Sequence, residues 1–520
     1  MIRPDVTSPR GRVATFLVAV ALTVAIALAP TPSGLGLAGK YAVATLVFAG
    51  TLWVTGAIPL AVTALSIPVL LTAFGVYADM DDALAPFADH LIFLFIAGFM
   101  LANALQKYDI DRRIALWIMT KMGASPRLLI AAIMLATAFL SMWVSNTATT
   151  AMMTPIALGV LAQVIGRDEI SEKGEDEPFS NMQIATLLGT AYSASVGGVG
   201  TLIGTPPNAV VAGFLSRMLD YEIGFAEWLL IGLPIVVVTL PIVWFLLTYV
   251  LFPPEIDDVG DARQEAARYL EEEGELSPRG KRVAIIFTTT AVLWVAGGLE
   301  TFVKPYMSEV VHTTLFGGKG MTLFGLKGHQ GLLYYVMVAL YAIPALVLAD
   351  TVEWDDLVDI DWGTILLFGG GLSLASAFAT TGATKWIAES IFTSLTSAPI
   401  LVIIAAVVFL VIFLTEMTSN TATATIIVPV LISLGGVLAG TLGLTEVAAA
   451  VFLSVAGAVA ASFAFMLPVA TPPNAIVFGS GYLRQKDMVR AGIVLNLVMT
   501  AVLTGLIGFL FYFFWPMFLW

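Results

Sequence analysis

Two short polar motifs each occur twice in this chain. Residues 145–149 and 419–423 both read Ser-Asn-Thr-Ala-Thr, and Pro155 and Pro429 follow at the same distance, an offset of 274. Thr205-Pro206-Pro207-Asn208-Ala209 recurs as Thr471-Pro472-Pro473-Asn474-Ala475 at an offset of 266. Hydroxyl and amide oxygens are hard ligands suited to small cations. Ser141 stands one helical turn before Ser145, and Thr415 one turn before Ser419, so both copies keep an oxygen there. Asn and Thr after a turn cap the next helix, whose free N–H groups attract anions. Thr205 and Thr471 are placed as N-caps with proline at the first helical position. None of these motifs contains Lys, Arg or His. Dipoles and hydroxyls without a fixed cation suit an anion bound together with small cations that screen it. Glu416 is the only charge at the second tip and is assigned no role in binding.

These residues need unusual elements to position them. The Ser-Asn-Thr copies sit midway in apolar stretches 126–164 and 398–437, and the Thr-Pro-Pro-Asn copies midway in 182–214 and 445–480. At about 1.5 Å per residue, 182–214 as one helix would reach about 50 Å, against about 30 Å of hydrocarbon core. Proline breaks the helix. Gly197, Gly198, Gly200 and Gly204 permit an unwound backbone, and the second copy reads Leu467-Pro468-Val469-Ala470. Such backbone survives at membrane depth only where it lines a cavity or is buried in protein. A third block matches as well: Phe95, Gly98, Ala102 and Ala104 correspond to Phe368, Gly371, Ala375 and Ala377 at an offset of 273. Three blocks in one order mean a duplicated half. Five crossings separate equivalent points, which inverts the second copy, and inverted repeats with interrupted helices are a transporter signature. A headgroup turn or a packing kink explains one motif but not the matched pairs.

The composition restricts the class further. Of 520 residues, 58% are hydrophobic and 12% charged, against about 25% charged in soluble domains. The chain is therefore expected to be an all-α polytopic membrane protein. A soluble enzyme, a nucleic-acid partner and a disordered scaffold are excluded. Absence of a phosphate loop argues against ATP drive, and absence of His-Glu-x-x-His and Gly-x-Ser-x-Gly argues against hydrolysis. No organic cofactor is expected. The net charge of -13 gathers in runs at 168–177 and 255–275, read as solvated loops, and an acidic surface also suits a salt-adapted organism. Without cysteine there is no disulfide or thiolate metal site.

Arg3, Arg10 and Arg12 precede an apolar run ending at Ala29, which is read as a retained first helix rather than a signal peptide. With the N-terminus in the cytoplasm, 18 of the 24 Lys and Arg fall on the inner side and six outside, which places the C-terminus outside the cell membrane. Re-entrant hairpins and pairs of full spans satisfy that count equally.

With both motif pairs in place, the chain from about residue 40 onward resembles the divalent anion/sodium symporter family. The resemblance implies about eleven transmembrane helices plus two re-entrant hairpins in an inverted-repeat, elevator-type homodimer. Its implied units are N-terminal scaffold helices 1–125, a first transport half 126–254 with hairpin 126–164 and broken helix 182–214, and an acidic cytoplasmic connector 255–282. Second scaffold helices 283–397 and a second transport half 398–520, with hairpin 398–437 and broken helix 445–480, complete it. It implies a first sodium site at Ser141, Ser145, Asn146 and Gly204, and a second at Thr415, Thr418, Asn420 and Ala470. The substrate would meet Ser145, Asn146, Thr147, Thr205, Ser419, Asn420, Thr421, Thr471 and Pro472. Thr418 and Thr205 depart from residues common in relatives without altering the chemistry. Intact Ser-Asn-Thr in both halves leans toward a C4-dicarboxylate or citrate over sulfate. Sodium-independent exchange and, from a different class, an anion channel are the competing functions.

Overall fold

The structure, a computed structural model, describes residues 8–121, 125–165, 179–256, 259–392 and 399–517. The acidic run 168–177 lies outside the described residues. Helices dominate, and among the described residues eight are long and apolar enough to cross a membrane, or nine if Pro278–Gly297 and the bent continuation Glu300–Tyr306 count as one span. Pro126–Ser141, Ile400–Thr415 and Glu446–Ala460 are apolar but shorter. One departure from an all-helical chain is a small antiparallel strand pair, Gly317–Met321 with Lys327–Gln330. Its glycines give no hydrophobic alternation from which a strand could be read.

Each long polar-centred stretch resolves into two helices. The first hairpin is Pro126–Ser141 followed by Asn146–Ile165, and the second is Ile400–Thr415 followed by Asn420–Leu442. The broken helices are Asn181–Gly198 with Pro206–Leu219, and Glu446–Ala460 with Pro472–Gly479. Small polar residues set several starts: Ser180 Oγ accepts from Gln183 N at 3.2 Å and Thr445 Oγ1 from Ala448 N at 3.2 Å.

The first arms of the broken helices form the centre. Every side chain from Met182 to Val196 is buried, as is every one from Ala448 to Ala460. A helix apolar or small on all faces belongs inside. The hairpins wrap these arms: Pro126–Ser141 packs on Asn181–Gly198, and Asn420–Leu442 on Glu446–Ala460. Lipid supplies no hydrophobic drive between helices, so small residues that admit close backbones do this work. A Cβ at Gly197 would overlap the carbonyl oxygen and Cα of Ala138, and one at Gly435 would overlap the backbone of Ala450. Gly197→Ala should therefore destabilise the fold by about 1–3 kcal/mol. A melting temperature in detergent equal to that of the parent protein would refute this contact.

Charge distribution corrects one expectation. The connector is not a solvated loop: residues Gly260–Glu272 form a helix that docks on Ile110–Thr120 and on the second arm of the first hairpin. Arg113 donates to the carbonyls of Glu273 (2.7 Å) and Gly274 (2.6 Å), and Arg112 pairs with Glu273 at 3.0 Å. Such helices escape a hydropathy scan because charges interrupt them.

The first helix, Pro9–Leu28, is tied down by a buried lysine. Lys40 Nζ donates to the carbonyls of Ala27 (2.8 Å) and Ala29 (2.9 Å), the free acceptors at that helix's C-terminal end. Lys40→Leu should leave these carbonyls unsatisfied at a cost of about 1–3 kcal/mol. Faster proteolytic cleavage around residues 29–36 is the expected readout, and unchanged cleavage would contradict it.

Candidate functional site

The two hairpin turns and the two helix breaks meet at one cavity of about 670 Å³. Ser145, Asn146, Thr147, Thr205, Ser419, Asn420, Thr421, Thr471 and Pro472 all line it, together with Gly204. Residues 59–61, Phe99, Asn103, Gln106, 359–361, Gly363, Thr364 and Leu367 line it as well. Among the described residues no Lys, Arg or His lines this cavity, whereas Asp359 and Asp361 do.

Four helix N-termini point into it, and the caps differ in one respect from the sequence reading. Serine, not Asn or Thr, caps the second arm of each hairpin: Ser145 Oγ accepts from Ala148 N (3.3 Å) and Ser419 Oγ from Ala422 N (3.1 Å). The asparagine carboxamides are thereby free to turn back under the tip. Thr471 Oγ1 caps its helix by accepting from Asn474 N at 3.2 Å, whereas Thr205 makes no such bond and lies 3.4 Å from the Asn146 carboxamide.

Behind each tip the hydroxyl one turn earlier makes the same pair of contacts. Ser141 Oγ lies 2.6 Å from Asn146 Oδ1 and donates to Ala194 O at 2.8 Å. Thr415 Oγ1 lies 2.8 Å from Asn420 Oδ1 and donates to Ala461 O at 2.9 Å. One end of the Asn146 carboxamide also faces Ala194 O at 3.1 Å and Gly204 O at 3.3 Å. The carboxamide can present either its nitrogen or its oxygen there. With nitrogen there, its two N–H groups are shared among these three oxygens; with oxygen there, four oxygens converge with no donor beyond the hydroxyl. The second arrangement is a ligand set for a hard cation such as sodium. No group of three or more His, Cys, Asp and Glu suited to a transition metal occurs among the described residues.

Other sodium-site candidates are placed differently. Thr418 Oγ1 bonds within its own hairpin, to Thr423 Oγ1 and to Leu414 O (3.3 Å). Ala470 is buried in the unwound segment after Leu467. The carbonyls of Ala194 and Ala461 were not among the residues expected from sequence. Side-chain type does not reveal a backbone acceptor, and the matched pairs Ala194-Ser195 and Ala461-Ser462 lie 267 apart, one residue off the 266 of the neighbouring Thr-Pro-Pro-Asn repeat.

The motif asparagines Asn208 and Asn474 hold the breaks open rather than face the cavity. Asn208 Nδ2 donates to Gly198 O (3.0 Å) and Thr201 O (2.7 Å). Asn474 Nδ2 donates to Ala464 O and Leu467 O, both at 3.1 Å. Each carboxamide thus replaces the helical bonds that the unwound carbonyls lack.

Sequence comparison agrees with this geometry. A family model described as the sodium:sulfate symporter transmembrane region matches residues 10–520. An uncharacterized transporter of Haemophilus influenzae is 38% identical over 470 residues, covering 90% of this chain and 91% of that protein. The sodium-dependent dicarboxylate transporter SdcS of Staphylococcus saprophyticus is 34% identical over 484 residues, covering 92% and 87%. SdcS of Staphylococcus aureus is 33% identical over 478 residues, covering 91% and 86%. Among solved structures, the YdaH transporter of Alcanivorax borkumensis superposes with a TM-score of 0.53 at 14% identity over 99% of both chains, a likeness of fold.

Proposed function

This chain belongs to the sodium:sulfate symporter family of membrane transporters, and from that premise we propose that it carries a C4-dicarboxylate or citrate into the cell together with sodium. It is a multi-pass membrane protein and not an enzyme. The observation that carries the proposal is the polarity of the cavity: four helix N-termini and many neutral oxygens, two carboxylates, and no cationic side chain among the described residues. A doubly charged anion brought out of water into such a site is strongly disfavoured. Helix N-termini offset typically 0.3–1 kcal/mol each, and up to about 2 kcal/mol when partly buried. Sodium at the two oxygen clusters supplies the remaining positive charge, so this geometry favours symport over sodium-independent exchange. Relatives named as sodium-dependent dicarboxylate transporters support the same choice of substrate.

In this reading Ser141, Ser145, Asn146, Gly204 and the carbonyl of Ala194 bind one sodium. Thr415, Asn420, Thr418, Ala470 and the carbonyl of Ala461 serve the other. Ser145, Asn146, Thr147, Ser419, Asn420, Thr421, Thr205, Thr471 and Pro472 receive the substrate carboxylates. About eleven spanning helices with two re-entrant hairpins, an elevator motion of the hairpin and broken-helix elements past the scaffold helices, and a homodimer complete the proposal. The N-terminus is cytoplasmic and the C-terminus extracellular, supported by the Lys and Arg asymmetry of the loops.

Uptake of radiolabelled succinate, citrate and sulfate into proteoliposomes tests this. An inward sodium gradient should drive accumulation of a carboxylate that a potassium gradient does not. Sodium-indifferent counterflow would replace symport with exchange, and sulfate-only uptake would overturn the substrate.

A further inference from the structure

The hairpin tips are not equivalent at the residue that follows Ser141 and Thr415. The first half has Met142 there and the second has Glu416. Glu416 is fully buried. Its Oε1 accepts from the N–H groups of Phe465 (2.6 Å) and Met466 (2.8 Å) and from Asn496 Nδ2 (2.7 Å), and Oε2 accepts from Leu467 N (3.0 Å). All four donors are neutral, and none of the ion pairs found among the described residues involves Glu416. The three amides are consecutive and belong to the unwound segment whose carbonyls Asn474 holds. Helix Gln485–Phe509 delivers the fourth donor from one turn beyond Gly492, where a Cβ would overlap the backbone of Met466.

The first half makes the corresponding tie without charge. Thr201, the repeat mate of Leu467, donates its hydroxyl to the carbonyl of Met142. Each tip is therefore fastened to its own unwound segment, by a hydroxyl in one half and by a carboxylate in the other. A buried charge acts over short range with little solvent screening. Neutral donors stabilise the carboxylate without cancelling its field, and that field falls on the oxygen cluster of the adjacent Thr415.

We propose that Glu416 is a positioning residue that makes the two cation sites unequal, fixing the unwound segment 465–467 against the second hairpin and favouring sodium at the Thr415–Asn420 cluster, which fills before the Ser141–Asn146 cluster. The proposal rests on the sodium-symport reading above. It assigns an order: the second hairpin is loaded first, the first hairpin next, and the anion last.

Sodium titrations of purified protein, read by thermal shift, and sodium-dependent succinate uptake test it in the parent protein and in Glu416→Gln and Glu416→Asp. Glu416→Gln keeps most hydrogen bonds and loses the charge. It should raise the half-saturating sodium concentration about tenfold, equivalent to ~1.4 kcal/mol, while uptake at saturating sodium returns close to the parent rate. Glu416→Asp, which keeps the charge, should recover most of the sodium affinity. A reduced ceiling with unchanged sodium dependence in Glu416→Gln would mean a merely structural tie and overturn the proposal. If Glu416→Gln does not fold, Asn496→Leu decides, because it removes a neutral donor and leaves the charge. Sodium affinity equal to or above the parent's supports the proposal, and a tenfold loss overturns it. Sodium-indifferent parent protein would instead defeat the symport reading itself.

Discussion

Replacing Asn146 or Asn420 by alanine is expected to lower succinate uptake about 100-fold or more while the protein still inserts and purifies as a folded species. Each carboxamide lies between a buried hydroxyl and the cavity: Asn146 against Ser141 at 2.6 Å, Asn420 against Thr415 at 2.8 Å. Both asparagines line the cavity. In the proposed reading one side chain serves cation and anion together, and truncating it removes contacts to both. Hydrogen bonds to charged groups contribute about 1.5–3 kcal/mol each, and two such losses exceed 100-fold. The serine caps on Ala148 and Ala422 remain, so the hairpins should still form. Uptake rates within a few-fold of the parent in either variant would remove these residues from the site.

Ser141→Ala and Thr415→Ala should each raise the sodium concentration needed for half-maximal uptake by about tenfold, the effect of a lost ligand worth ~1.4 kcal/mol. Neither hydroxyl lines the cavity, and both are fully buried one turn behind it. Substrate affinity should therefore fall only through the linkage between cation and anion binding, which is reciprocal. Saturating sodium should restore most of it. Equal loss of substrate affinity at low and saturating sodium would show that these hydroxyls support the tip mechanically instead of binding the cation.

Much of this site is legible in the sequence because two strong signals coincide. The Thr-Pro-Pro-Asn pairs mark the helix restarts at Pro206 and Pro472, whereas the lone Pro155 and Pro429 lie within continuous helices, and duplication of Ser-Asn-Thr at a fixed offset separates a purposeful polar turn from a chance one. What escapes has physical reasons. Backbone acceptors such as Ala194 O and Ala461 O have no side-chain signature. Cap assignment among adjacent Ser145, Asn146 and Thr147 depends on a one-residue register that periodicity does not fix. Glu416 reads as an isolated charge, because its partners Phe465, Met466 and Leu467 act through amides every residue possesses. The docked helices Ile110–Thr120 and Gly260–Glu272 are amphipathic and fall below the hydropathy of a span.

Coupling itself is the central claim, and equilibrium binding measures it most directly. Titrating succinate into the purified protein across a series of sodium concentrations, with choline holding ionic strength constant, yields the substrate Kd as a function of sodium alone. The account predicts that Kd falls steeply as sodium rises, with a limiting slope near two on logarithmic axes, and that binding in choline is too weak to detect. A succinate Kd that is the same in choline as in sodium would contradict it.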